Sequence, residues 1–349
     1  MNARLQCLSL AVLLLAACGA PPEPEVAPDP GAGTVLRISD GLDAIVPADA
    51  VIEKLAGGMG FTEGPVWVKE PAPQLLFSDI PANNINRWSE GDAEASVFYE
   101  GMYKGEPRTT PAGSNGLILD SEGRLLACEH GNRRISRLVE GEWEVVVDNY
   151  EGKKLNSPND LAWHPNGGLY FTDPPYGLPE QEADPARELD YNGIYRLNYE
   201  TGELHLLSKD QTRPNGIGFS PDGSTAYVAN SDAAKKLWMA YDVNADGMFE
   251  NGRVFYDATA EEAPGMPDGL KIDTEGNIYA TGPGGVWIFS PDGTHLGSIQ
   301  PDEVPANVAW GDDGSTLYMT ARTGLYRIKL LSSGEMPADM AGDAEMAGE

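Results

Sequence analysis

Six segments of this chain share one plan: a polar residue, a short apolar strand, a Gly-containing turn, then a second apolar strand. They begin at Glu63, Asn115, Asn159, Asn215, Asp268 and Asn307. These leading positions fall 52, 44, 56, 53 and 39 residues apart, a mean of about 49, which is the period of a four-stranded propeller blade. The internal turns (Ser121-Glu-Gly, Pro165-Asn-Gly, Pro221-Asp-Gly, Thr274-Glu-Gly, Asp312-Asp-Gly) are hairpin chemistry, because Gly supplies the positive φ such turns need. A third run, alternating apolar and polar, follows each pair from Ile85, Ile135, Ile194, Leu237, Val286 and Leu325. No stretch sustains a helical period, and 41 Gly with 27 Pro is too much punctuation for a helical bundle. The expected fold is all-β, a six-bladed β-propeller over residues 34–331. Val51–Gly58 lacks a partner of its own, so it is expected to close the last blade as a terminal strand and spare the ring an open edge.

The ends read differently. Residues 1–17 have Arg4 ahead of an apolar run, Leu5–Ala17, too short to span a bilayer, and are expected to be a lipoprotein signal peptide. Leu15-Ala-Ala-Cys18 resembles a bacterial lipobox, which makes Cys18 the lipidation site; an ordinary secretory peptide cut nearby is the alternative. Residues 18–33 then read as a lipid-anchored, Pro-rich linker. Residues 332–349 read as a disordered acidic tail. The expected location is the periplasmic face of a bacterial membrane, the outer one given Gly19 after Cys18. Cys7 leaves with the signal and Cys18 takes the lipid, so Cys128 stands alone and the mature chain has no internal disulfide.

Charge narrows the partners. With 24 Lys+Arg against 54 Asp+Glu, the net charge of −30 excludes nucleic acid, and it excludes anionic headgroups as a docking surface. Membrane contact is therefore expected through the anchor only, and a monomer is expected.

In a propeller the innermost strands line a central channel, so the residue opening each should face the axis at one end. Asn-Gly, Asn-Asp and Asp-Gly are turn dipeptides, and one alone would read as a turn. Six of six, all bearing an oxygen acceptor and including Glu63, call for another reason. Converging carboxylates repel and raise one another's pKa, a conflict that a hard cation removes. Oxygen-only donors select Ca²⁺ or Mg²⁺ over zinc or copper.

Several motifs in order carry a family likeness: Thr62-Glu-Gly-Pro-Val-Trp67, Phe77-Ser-Asp-Ile-Pro-Ala-Asn83, Ser157-Pro-Asn-Asp160, Phe171-Thr-Asp-Pro-Pro-Tyr-Gly177, Arg213-Pro-Asn-Gly216 and Pro267-Asp-Gly269. The stretch from about Thr62 to Lys329 resembles the bacterial gluconolactonases, which belong with senescence marker protein (regucalcin), diisopropyl fluorophosphatase and, more distantly, paraoxonase. The resemblance implies a Ca²⁺-dependent hydrolase acting on a small lactone. It implies Glu63, Asn159, Asn215 and Asp268 as metal ligands, with Asn115 contacting substrate beside the metal. The family often carries an Arg two residues before that Asn; here Gly113 stands there.

For a base that directs water at a carbonyl carbon, Asp268 is the first candidate and His130, which closes the strand Leu-Leu-Ala-Cys-Glu-His, the second. His164, His205 and His295 read as surface. Asp173–Gly177 reads as a rigid loop with a cis proline that presents Tyr176 to the channel mouth as a substrate contact. Asp242–Gly247 opens like a calcium-binding loop, but Arg253 replaces the required Glu, so it reads as a strand-connecting turn. No G-x-S-x-G or H-E-x-x-H occurs. Two alternatives remain open: a phosphotriesterase-like hydrolase on the same metal, and a non-catalytic binding propeller that Ca²⁺ stabilises.

Overall fold

The computed structural model describes residues 31–106, 108 and 110–336. The signal segment, Cys18, the linker as far as residue 30 and the tail beyond Met336 lie outside the described residues.

The apolar runs form six antiparallel sheets arranged as blades, each with its first strand innermost. Blade 1 comprises Thr62–Val68, Gln74–Asp79, Asn84–Trp88 and Ser96–Glu100. Blade 2 comprises Ser114–Leu119, Leu125–Glu129, Arg134–Val139 and Glu142–Val147. Blade 3 comprises Leu161–Trp163, Leu169–Asp173, Gly193–Leu197 and Leu204–Ser208. Blade 4, with the longest outer strands, comprises Pro214–Phe219, Thr225–Asp232, Lys235–Val243 and Phe249–Asp257. Blade 5 comprises Leu270–Ile272, Ile278–Gly282, Gly285–Phe289 and His295–Pro301. Blade 6 comprises Pro305–Gly311, Thr316–Ala321 and Gly324–Lys329, completed by Glu53–Ala56 from the N-terminal side.

That last strand pairs antiparallel with Gly324–Lys329, so the ring closes where the unpartnered Val51–Gly58 segment suggested. A second tie was not expected: Gly33–Arg37 adds a fifth strand to blade 5 by pairing with His295–Pro301. N-terminal chain thus covers the outer edges of two neighbouring blades.

Period-2 alternation puts the core between blades rather than within them. Leu117, Leu119, Leu125 and Ala127 of blade 2 pack toward Val66, Leu76 and Ile85 of blade 1. Their neighbours Ile118, Leu126 and Cys128 face the other way, against Leu161, Leu169 and Phe171 of blade 3. Cys128 is a free, buried thiol, so packing supplies the cohesion.

Three expectations change. The acidic tail does not begin at Ser332. Ser332 and Met336 are buried, the Ser332 hydroxyl lies 2.6 Å from Tyr279 Oη, and Gly334 bridges Asp273. The cis peptide among the described residues is Glu70–Pro71, not in the Asp173–Gly177 loop. His295 and His164 are not simply surface groups: His295 stacks on Trp287 at 4.1 Å, and His164 packs edge-on against Phe219 at 4.8 Å. Asp242–Gly247 does connect two strands of blade 4, and Asp242 pairs with Arg253 at 2.7 Å.

Candidate functional site

The leading dipeptides are not turns. Asn115 and Asn215 lie within innermost strands, and the glycine after each serves close approach at the axis. A Cβ on Gly64 would sit 2.0 Å from the Asn115 carbonyl oxygen, and one on Gly216 would sit 2.2 Å from that of Asp268. Only a residue without a side chain lets neighbouring first strands converge this far. Convergence brings Glu63, Asn307, Asn215 and Asp268 within reach of one another or of Asp160 at the channel's axis; Glu63, Asn115, Asn159, Asn215 and Asn307 are buried and Asp268 is half-buried.

Blade 3 breaks the rule. Asp160 stands where blades 1, 2, 4 and 5 have glycine, and its buried carboxylate reaches the axis. Asn307 Nδ2 donates to Glu63 Oε2 at 3.1 Å and to Asp160 Oδ2 at 3.3 Å, while its own Oδ1 accepts from Val308 N–H at 2.8 Å. Asn307 therefore meets the axis as a donor between carboxylates, with its oxygen turned away.

Asn115 and Asn215 engage their amide nitrogens differently. Asn215 Nδ2 donates to Ser231 Oγ at 2.9 Å, and Ser231 in turn donates to the Pro267 carbonyl. Asn115 Nδ2 lies 3.2 Å from His130 Nε2. Both amide nitrogens are engaged, and both Oδ1 atoms are buried without a hydrogen-bond partner, as is Asp268 Oδ1. Buried oxygens without a partner are costly unless something electropositive meets them.

Electrostatics agrees. Burial pushes Glu63 up to about 7, with Asp160 adding to the rise and the Gly64 N–H opposing it. Burial, then Glu63 and Asp160, holds Asp268 well above the usual carboxylate range. Asp160 is raised by burial and drawn back by Lys271. Among the described residues no three His, Cys, Asp or Glu side chains form a metal cluster. The donor set is mixed instead, carboxylates with amide oxygens, and its orphaned oxygens fit a hard cation.

His130 is buried beside Asn115, not poised over open space. Burial and the nearby Arg108 lower its pKa to about 4, so the imidazole is neutral at pH 7. With Asn115 Nδ2 as donor, Nε2 is the acceptor and its lone pair is engaged. Tyr176 sits at the rim: its hydroxyl reaches the Ser231 carbonyl at 3.4 Å, and the Arg213 guanidinium lies 5.5 Å from its ring. Burial raises its pKa, and the charge of Asp268 raises it further.

The model of the SMP-30/Gluconolactonase/LRE-like region matches residues 61–323. The chain belongs to this family. It is 38% identical over 314 residues to a gluconolactonase of Zymomonas mobilis, covering 86% of this chain and 87% of that one. It is 28% identical to a pentonolactonase of Haloferax volcanii, over 75% and 81% of the two chains. The solved gluconolactonase of Xanthomonas campestris superposes with a TM-score of 0.75 at 30% identity, covering 86% and 96%. Membership in the gluconolactonase family supports a gluconolactonase-type hydrolase function.

Two residues of this gluconolactonase-family site have no role that a motif assigns. Asp160 closes the Ser157-Pro-Asn-Asp160 motif, but its position is glycine in four blades and Val308 in blade 6, so the repeat does not mark it as an axial carboxylate. Ser231 leaves no sequence signal, because its role is to turn an amide on another strand.

Proposed function

We propose that this chain is a divalent-cation-dependent lactonase, with Glu63, Asn159, Asn215 and Asp268 holding Ca²⁺ at the mouth of the channel. What supports the reading is the trio of buried, unpartnered oxygens of Asn115, Asn215 and Asp268 beside carboxylates whose pKa values are raised. When bound, the cation would polarise the lactone carbonyl and stabilise the negative charge that develops on its oxygen.

The remaining work falls to the protein. Asp268 takes the proton from the water whose oxygen bonds to the carbonyl carbon. The ring C–O bond breaks, and the departing alkoxide recovers a proton from Asp268, leaving a hydroxy acid. Asn115 offers its free Oδ1 to a substrate hydroxyl, in an orientation maintained by neutral His130. Tyr176 borders the mouth. His130 is thereby a supporting group for Asn115, and Asp268 is the base.

The test is acid release from a panel of aldonolactones and aliphatic lactones, with and without chelator. Turnover abolished by chelation and restored by Ca²⁺ is the expected result. Chelator-insensitive turnover, or none on any lactone, overturns the reading. Fluoride release from an organophosphate in the absence of lactone turnover would assign the site to phosphoryl chemistry.

A further inference from the structure

One repeat position at or near the end of the second strand is held in the six blades by Asp79, Glu129, Asp173, Asn230, Gly282 and Ala321. In blades 1, 3 and 4 this residue reaches across to the segment that leads into the innermost strand. Asp79 accepts from Gly60 N–H at 2.9 Å and Phe61 N–H at 3.2 Å. Asp173 accepts from Asn156 N–H at 2.7 Å and Ser157 N–H at 2.6 Å. Asn230 Oδ1 accepts from Arg213 N–H at 2.8 Å, while its Nδ2 donates to the Lys235 carbonyl at 2.8 Å.

The offset is the same each time. Phe61, Ser157 and Arg213 stand two residues before Glu63, Asn159 and Asn215. All three acceptors are buried, Asp173 completely. A carboxylate there costs desolvation, which paired backbone donors offset, and these side-chain bonds add to the backbone bonds that Phe61 and Arg213 make through their carbonyls to Ile80 and Ser231.

The other blades differ. Glu129 turns away to Arg134 at 2.8 Å and to Ser136 and Asn132, and the Gly113 N–H goes instead to the Ile80 carbonyl at 3.3 Å. Blade 5, which carries Asp268, has Gly282 at this position and no side chain to reach with. Three of the four candidate ligands are thus braced from behind, and the fourth, the candidate base, is not.

We infer that Asp79, Asp173 and Asn230 are positioning residues that set the affinity of the site for its divalent cation, by fixing the backbone two residues ahead of Glu63, Asn159 and Asn215. This rests on the cation-dependent reading above. Groups one step behind the ligands determine whether donor oxygens meet at the right spacing, and losing such a group typically costs about 10–100-fold in metal affinity.

The experiment is calorimetric titration of metal-stripped protein with Ca²⁺. Asp79→Ala, Asp173→Ala and Asn230→Ala should each weaken Ca²⁺ binding about 10–100-fold. Asp79→Asn and Asp173→Asn keep one acceptor oxygen and should fall in between; they carry the test if an alanine variant does not fold. Glu129→Ala, at the same repeat position without the brace, should lower the melting temperature yet bind Ca²⁺ as the parent does. Anchor variants with parental Ca²⁺ affinity overturn the inference alone, as does Glu129→Ala weakening binding equally. A parent protein that takes up no Ca²⁺ overturns the cation-dependent reading, and the inference with it.

Discussion

Where the innermost strands begin, the channel ends on Glu63, Asp160 and Asp268 and on the amide oxygens of Asn115 and Asn215. A few residues further along the same strands it becomes an apolar cavity of about 110 Å³, with Trp67, Ile118, Leu161, Phe219, Ile272 and Trp310 among its lining. One set of strands therefore builds two opposite environments. At the first end, carboxylates and amides are buried, and their desolvation opposes folding. At the second, apolar side chains wedge neighbouring blades apart at fixed distance, which drives folding. Lys271 joins the two: it lines the apolar cavity, and its charge draws Glu63 and Asp160 back toward the ionised form. The difference teaches that cohesion and chemistry are separated along a single axis, so each can be damaged without the other.

The separation predicts its own tests. Trp310 is buried, its Nε1 donates to the Ile272 carbonyl at 3.0 Å, and its ring meets Tyr279 edge-on at 4.8 Å. Trp310→Ala should cost about 3–5 kcal/mol in urea unfolding, as large aromatic truncations do, with turnover kept at temperatures where the protein stays folded. A loss of turnover without a loss of stability would break the comparison from the apolar side.

Asp268→Asn should do the reverse. It keeps the shape, removes the base, and should lower turnover at least about a hundredfold with the urea midpoint unchanged or raised. Full activity in that variant would reject Asp268 as the base and make His130→Ala the next measurement.

The smallest effect is a pH slope. Glu63 and Asp268 have folded pKa values above their unfolded ones, so the folded state holds protons that the unfolded state has released. Stability from this source is fully present below about pH 4.5 and is lost as pH rises through about 7. Metal-stripped protein should therefore lose melting temperature between pH 5 and pH 8, by roughly a few degrees, and saturating Ca²⁺ should flatten the slope. A flat profile without metal would show that the three carboxylates do not repel one another as their burial implies.

How much was legible follows from how local each signal is. Apolar runs such as Leu125–Glu129 and turn glycines such as Gly123 (φ +75°) act within a few residues, so blade number and strand order could be read along the chain. The closing strand was legible because Glu53–Ala56 visibly lacked a partner. Gly33–Arg37 was not, since its partner edge exists only once blade 5 has formed. Ser332–Met336 reads as acidic tail by composition, yet it packs because Tyr279 and Gly314 offer it bonds across the molecule. The six leading residues stood out through repetition, and the family resemblance picked Glu63, Asn159, Asn215 and Asp268 from among them. Asp160 and Ser231 did not, because each matters for what it meets on another blade.

By itself the sequence determined the six-fold repeat, the oxygen-bearing residue at the head of each inner strand, and a surface too acidic for nucleic acid. Tertiary structure decided what each amide nitrogen meets: His130 for Asn115, Ser231 for Asn215, and the Glu63 and Asp160 carboxylates for Asn307. The reason is geometric. An amide's two ends are nearly the same size, so the partner on the next strand, not the residue itself, selects which end it meets.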